Sequence, residues 1–352
     1  MTLLPTSLKE YKKPDIQQRL EWIDNMKGIA MVLVMLSHMS ISTQAGIIFK
    51  PFFLSIFFVV SGYTFNIKGS FKEFIINKTR TLFIPAFLLA CIQIIFSCIL
   101  TFTEQEPLKD QVIELMLQNG GQGSKMWFVF ALFVFSIFFY IITRYIENTG
   151  LFICFVTAAF FICLAYNYYG GSHSFPWYIH LVGIGCFYMA AGYIHRVYEQ
   201  YNLLNNKDIF YRGRILTVFC SIGYILLIGI HLWKWKEVQV SFRVFEAPIW
   251  LYLAESILGT LAVYLLLRIL PGIKIMGFIG KNTLIYFAFH GKVQRIAEVV
   301  FNKLNVDGII RIILVLIIQC LVLAAISILV NKYFPFLAGK KYEPRRKHQF
   351  KV

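Results

Sequence analysis

The chain has 352 residues, of which 58% are hydrophobic, 17% aromatic and only 15% charged. Soluble domains run nearer 45–50% apolar with about 25% charged, so this composition excludes an ordinary cytosolic enzyme, a disordered chain and a disulfide-stapled secreted domain. The 34 Lys and Arg against 18 Asp and Glu leave a formal charge of +16, which in a membrane protein reports basic loops retained on the cytoplasmic side.

Taken in chain order, apolar runs long enough to span a bilayer, about 20 residues each, are predicted near 26–43, 47–65, 82–102, 126–143, 151–169, 177–195, 215–233, 246–268, 273–290 and 309–331. The ninth is short and polar, because Lys274 and the break Gly280-Lys281-Asn282 interrupt it. Strand periodicity and ten-residue alternating segments are missing, which disfavours a β-barrel. The expected fold is an all-α polytopic bundle of about ten transmembrane helices. A tail over 1–25 precedes the membrane domain at 26–331, and a basic tail follows over 332–352. Residues 1–25 carry Pro5, Pro14 and several charges but no apolar core of a signal peptide, so the first span is expected to serve as its own targeting signal.

Orientation follows from the basic residues. With the amino terminus inside, 22 Lys and Arg fall on the cytoplasmic side and 10 outside, with Lys27 and Lys281 at helix ends. That bias places both termini in the cytoplasm. The loop 103–125, with Glu104, Glu106, Asp110 and Glu114, suits the outer face. All seven cysteines (Cys91, Cys98, Cys154, Cys163, Cys186, Cys220 and Cys320) fall inside predicted spans without metal-ligand spacing, so they read as packing residues and no metal is expected.

Chemistry should show as polar residues where lipid-facing helices avoid them. In the first span, eleven residues separate Lys27 from His38. At 100° per residue they share a helix face, about 16 Å apart along the axis. The pair describes either a polar track, with an anion binder at its mouth and an acid/base group within, or a snorkelling lysine and a hydrogen-bonded histidine. Glu255, in the eighth span, needs a partner or a wet cavity; it could orient His38 or an acceptor, or pair with a basic residue on another helix. His180 and His231 read as interfacial. Gln93 and Gln319 read as interhelical hydrogen-bonders. Tyr166, Tyr168, Tyr169, Trp177 and Tyr178 suit an outer aromatic belt and equally a sugar-stacking surface.

Five motifs recur in one order. Arg19 through Asp24 leads into Lys27-Gly28 and the span ending Ser37-His38. The second span ends Phe57-Phe58-Val59-Val60-Ser61-Gly62-Tyr63, and a basic stretch from Lys72 through Lys78-Thr79-Arg80 runs into Leu82-Phe83-Ile84-Pro85. The fourth span opens Met126-Trp127-Phe128, and Gly280-Lys281-Asn282-Thr283-Leu284-Ile285-Tyr286 leads to His290. Together they resemble membrane-bound acyltransferase family 3, the bacterial O-acetyltransferases of surface polysaccharides, over residues 19–290. They match its basic residue eleven before a catalytic histidine, its SGY/F signature, its R-x-x-R-L-x-P segment, its WF pair and, with one residue of spacing difference, its late G-x-N/S-L-x-I-Y-x-x-H motif. The chain departs from the family in carrying Lys27 where many members have Arg, so a bidentate anion grip becomes a point charge. Asn77 or Lys78 also stands near the expected first arginine of the third motif, and no secreted esterase-like domain is expected after the membrane domain.

The resemblance implies a multi-pass enzyme of the bacterial plasma membrane that moves an acetyl group from acetyl-CoA to a hydroxyl of a surface polysaccharide or its lipid-linked precursor. His38 would be the general base, with transfer either direct or through an acyl-histidine, and Lys27 and Glu255 would join it in the catalytic group. Lys72, Lys78, Arg80, Ser61 and Tyr63 would meet acetyl-CoA, the phosphates lying by the cations. Lys68 belongs to the same basic cluster, whose members equally suit flanking positive-inside charge. Trp127, Asn282, Tyr286 and His290 would line the acceptor pocket. The expected partners are thus acetyl-CoA, a glycan or lipid-linked sugar and membrane lipids, with nucleic acid disfavoured because the basic residues divide among loops. The competing class is a proton-coupled transporter or flippase for a glycan or organic anion, with His38 and Glu255 as the relay; no matched pair of broken helices accompanies it.

Overall fold

The computed structural model describes residues 21–340 apart from 40, 68, 100–106, 119–125, 170–174, 203–208, 237 and 239–247, with the backbone alone at 99, 200–202 and 209–214. Lys68, Glu104, Glu106, most of the amino-terminal tail and the end of the basic tail therefore lie outside the described residues. Every regular element described is helical. In chain order they are α1 (Glu21–Ser37), α2 (Thr43–Ile47), α3 (Phe53–Tyr63), α4 (Phe71–Lys78), a π-helical turn (Thr79–Phe83), α5 (Ile84–Ile99), α6 (Leu108–Leu117), α7 (Trp127–Tyr145) and α8 (Thr149–Tyr169). A 3₁₀ segment (Pro176–Leu181) then enters α9 (Val182–Asn202), followed by α10 (Ile209–Lys234), α11 (Ile249–Ile269), α12 (Lys274–Lys281), α13 (Thr283–Lys303), α14 (Gly308–Tyr333) and a last 3₁₀ turn (Pro335–Ala338).

The expected all-helical membrane bundle is what forms. Seven helices among the described residues are long and apolar enough to cross a bilayer: Phe71–Cys98, Trp127–Tyr145, Thr149–Tyr169, Pro176–Glu199, Ile215–Lys234, Ile249–Ile269 and Gly308–Tyr333. The other three predicted spans take different shapes. α1 ends at Ser37, where the Ser37 hydroxyl bonds back to the Val34 carbonyl, and Ser42 then caps the separate helix α2. α3 is only 11 residues long. The ninth run breaks at Asn282, leaving α12 as a short helix and letting α13 continue past the predicted end to Lys303. The acidic segment between the third and fourth predicted spans contains helix α6.

α1 is the central helix. It packs on α3, α11, α12 and α13, and Met26, Ala30, Met31 and Met35 on it are fully buried. Two glycine pairs set how closely the helices approach. A Cβ on Gly28 would stand 2.1 Å from the Met276 carbonyl oxygen, and one on Gly280 would stand 1.8 Å from that of Asp24, so α1 and α12 touch backbone to backbone. Gly62 and Gly192 do the same for α3 and α9, with a Cβ 1.8 Å from Met189 O and 1.9 Å from Val59 O respectively. Small residues at such crossings are what allow helices to pack without a hydrophobic driving force between them.

The π turn between α4 and α5 has a local cause. Pro85 has no N–H to offer the carbonyl four residues back, and its ring crowds that carbonyl, so the α-helical ladder cannot pass residues 81–85 unchanged. Thr79–Phe83 widens into a π turn instead, and Arg80 lies on it. At its start α4 carries a capping box: Ser70 accepts from the Glu73 N–H, and the Glu73 carboxylate accepts from the Ser70 N–H at 2.8 Å.

Candidate active site

Helix order places the starts of α1 and α12 with the ends of α3, α9, α11 and α14 at one end of the bundle, the Lys27 end. The end of α1, the starts of α3, α7 and α11, and the end of α10 gather at the other, the His38 end. Because α1 is an unbroken helix up to Ser37, the spacing of Lys27 and His38 along it is as the sequence requires.

His38 is the first residue beyond α1, in a turn, with its side chain exposed. Its ring lies against that of His290 on α13, which is buried, with centroids 5.0 Å apart. His290 Nδ1 sits 2.9 Å from the Phe287 carbonyl and 3.2 Å from that of Tyr286. Carbonyls only accept, so Nδ1 carries the hydrogen and Nε2 of the neutral ring keeps its lone pair. One open imidazole thus stands on a second, buried imidazole whose tautomer is fixed by its own helix.

Aromatic rings connect this pair to the other motifs. Phe287 contacts His290 at 5.8 Å between centroids, and Phe128 of the Trp127-Phe128 pair contacts Phe287 at 5.6 Å. Phe128 also meets Phe57 and Phe58 of α3, each at 5.2 Å. The first, second, fourth and fifth motifs therefore converge on one place although up to 252 residues separate His38 from His290 in the chain. Trp127 itself turns toward Tyr178, at 5.3 Å, at the start of the α9 segment. There Trp177 and Tyr178 both hold left-handed backbone, at φ 58° and 57°. Tyr178 is fully buried, so of the aromatic group read as belt or sugar platform it serves neither; Tyr168 and Tyr169 are exposed.

At the Lys27 end the expected residues take up structural bonds as well. Lys27 pairs with Asp24 one turn earlier at 2.9 Å. The Tyr63 hydroxyl donates to Glu199 at 2.6 Å, and Glu199 also receives Arg268 at 3.0 Å and the Tyr264 hydroxyl at 3.1 Å. Trp22 packs edge-on to Tyr63 and Tyr264, so this cluster ties α1, α3, α9 and α11 together. Ser61 is half-buried on α3. Lys72 and Arg80 are exposed and Lys78 lies over the Phe74 ring. None of the three has a carboxylate partner among the described residues, and the nearest acid in sequence, Glu73, is engaged by its cap.

Three further candidates are placed by their bonds. Asn282 joins the α12–α13 break to the carboxyl-terminal segment: its Nδ2 donates to Phe278 O, and its Oδ1 accepts from Asn331 at 2.7 Å and Lys340 at 3.3 Å. The Tyr286 hydroxyl donates to the Cys320 carbonyl of α14 at 3.2 Å. Asn282 and Tyr286 therefore hold helices, and of the late motif His290 alone reaches His38. Glu255 is wholly buried and bonds His231 Nδ1 at 2.6 Å; its bonded partner is this histidine of α10 and not His38. His231 lies in the last turn of α10, and this contact leaves its side chain at 0% exposure.

Two residues that the motifs do not mark complete the site. Gln294, one turn after His290, donates from Nε2 to the His38 carbonyl at 2.7 Å and to Glu298 at 2.8 Å. Gln319 of α14 donates to the His290 carbonyl at 3.0 Å. The interhelical role expected for Gln319 is the one it fills, whereas Gln294 lay beyond the predicted end of the ninth span and carried no signal except its spacing of four from His290. All seven cysteines are free.

A family model described as an acyltransferase domain matches residues 20–335, almost all of the described chain. No curated protein and no solved structure matches it.

Proposed function

The chain belongs to acyltransferase family 3 and is a multi-pass membrane acyltransferase, and from that premise we propose that it moves an acetyl group from acetyl-CoA to a hydroxyl of a surface polysaccharide or of its lipid-linked precursor. The observation that carries this reading is the open His38 imidazole set on His290 where four separate sequence motifs meet. With both termini in the cytoplasm of a bacterial plasma membrane, the Lys27 end faces the donor and the His38 end faces the acceptor. Arg80, Lys72 and Lys78, unpaired with any described carboxylate, supply cations for the donor's phosphates.

In the reaction His38 takes the proton of the acceptor hydroxyl as its oxygen attacks the thioester carbonyl. The carbon–oxygen bond forms, the carbon–sulfur bond breaks, and the proton passes from His38 to the departing thiolate, so an ester and a free thiol are the products. His290 forms the floor beneath His38, and the phenylalanines around it keep bulk water from the thioester. Glu255, held by His231, takes no part in these steps.

The test is transfer from radiolabelled acetyl-CoA to an acceptor glycan by the purified protein in lipid. His38→Ala is expected to abolish labelling with expression unchanged, and full activity in that variant would overturn the assignment. Movement of a glycan or organic anion across liposomes with no acyl donor present would put the transporter reading in its place.

A further inference from the structure

We propose that Gln294 is the positioning residue for His38, holding the turn that carries it through a chain of amides that also ends on His290; the inference rests on His38 being the base. His38 follows the last turn of α1, where backbone carbonyls have lost their helical donors. In a membrane-embedded protein such a carbonyl needs another partner, and an unsatisfied one is costly. Gln294, 5% exposed on α13, supplies it: Nε2 lies 2.7 Å from the His38 oxygen.

The hydrogen count shows that this amide has no slack. A glutamine Nε2 carries two hydrogens. One goes to His38 O and the other to Glu298 Oε1, 2.8 Å away on the next turn of α13. Gln319, at 0% exposure, has the same two donors, one directed at the His290 carbonyl at 3.0 Å and one at Gln294 Oε1 at 3.5 Å. Rotating the Gln294 amide by half a turn would set its oxygen against the His38 carbonyl oxygen and the Glu298 carboxylate. Glu298 on one side and Gln319 on the other therefore fix which way Gln294 faces. The backbone of the open imidazole and that of the buried one are tied through two amides, so the distance between the two rings is held from behind the rings as well as by their contact.

This arrangement acts on the reaction through geometry. The base must stay within hydrogen-bond reach of the acceptor hydroxyl. A displacement of about 1 Å in a catalytic group costs on the order of 100-fold in rate. Gln294 touches neither donor nor acceptor in this reading, so its loss is expected in kcat and not in KM.

The experiment compares the full-length protein and four variants in lipid, reading kcat and KM for acetyl-CoA separately. Gln294→Met keeps the length and shape of the side chain and removes its hydrogens; kcat is expected to fall about 10- to 100-fold with KM for acetyl-CoA within about twofold. The exchange variant Gln294→Glu/Glu298→Gln restores the bond between those two side chains and leaves the His38 carbonyl without a donor, so it is expected to remain as slow as Gln294→Met. If Gln294 merely stabilised α13 through Glu298, the exchange would recover the rate, and that outcome overturns the proposal. Gln319→Leu is the second probe should Gln294→Met not fold; it frees the Gln294 amide and is expected to lower kcat by about 3- to 10-fold at unchanged KM, and a wild-type kcat in a folded Gln319→Leu overturns the proposal. His38→Ala separates the two levels. A fully active His38→Ala removes the reading on which the inference rests, whereas an inactive His38→Ala beside a Gln294→Met of wild-type kcat refutes the clamp alone.

Discussion

The buried pair of His231 and Glu255 offers a sharp test of how this bundle divides structure from chemistry. Both side chains are at 0% exposure and their bonding atoms are 2.6 Å apart, on α10 and α11. His231 Nε2 faces the Val238 carbonyl at 3.1 Å, so that nitrogen carries a hydrogen, and one further proton is shared between Nδ1 and Glu255 Oε1. Removing one partner strands the other in an apolar interior, which costs about 3–5 kcal/mol. Glu255→Ala and His231→Ala are each expected to lose that amount. Glu255→Gln, whose amide can still donate to Nδ1, should cost only about 1 kcal/mol. The double variant His231→Leu/Glu255→Leu should cost far less than the two single losses together, because no polar group is left behind. Unfolding can be followed with a thiol-reactive dye, since Cys186 and Cys220 are buried in the bundle. The reasoning is refuted if the single losses add in the double variant. It is refuted also if Glu255→Ala is as stable as the parent protein while acetyl transfer is lost, because Glu255 would then belong to the reaction.

Two other expectations concern the opposite end and the helix crossings. Arg80→Ala should raise KM for acetyl-CoA about tenfold with kcat within about twofold, the pattern of lost ground-state anion binding; titrating salt into the parent enzyme should move KM the same way, and a salt-independent KM would remove Arg80 from the donor site. Gly280→Val should prevent correct folding, because even a Cβ would stand 1.8 Å from the Asp24 carbonyl oxygen; recovery of a monodisperse, active protein would show that α1 and α12 do not meet as described.

Much of the fold was legible because hydrocarbon imposes a length rule. Runs such as 309–331 could only be spanning helices, and α14 forms there. The failures lie where polar residues interrupt a run and local bonding decides the outcome. Ser37 and Ser42 end one helix and start another inside what composition reads as continuous with the first span. Asn282 splits the ninth run, and α13 then continues through Lys292, Gln294, Arg295 and Glu298, a stretch too polar to be read as part of a span. His38 and His290 were legible as motif residues, but their contact was not. The partners of Glu255 and Gln294 were illegible for a simpler reason: side-chain periodicity places a residue on a face, and nothing in a single sequence says which helix that face meets.

The same division explains why motif residues and site residues are not the same set. Gly28, Gly62 and Gly280 belong to three of the four motifs that meet at His38 and Gly192 to none, yet a Cβ on any of the four glycines would meet backbone of the facing helix. Their effect is one of distance. With α12 held against the start of α1, α13 leaves the Asn282 break alongside α1, and eight residues later, about 12 Å along its axis, His290 comes level with the end of α1 where His38 stands. Tyr286 fixes the rotation of α13 by its bond to Cys320 on α14, which turns His290 toward α1 and leaves Gln294, four residues on and on the same face, to reach the His38 carbonyl. A change at Gly280 or Tyr286 should therefore move His290 and Gln294 together relative to His38, whereas a change at Gln294 should move His38 alone. Kinetic effects that begin at the Asn282 break and end at His38 follow from this geometry without any residue near the break touching donor or acceptor.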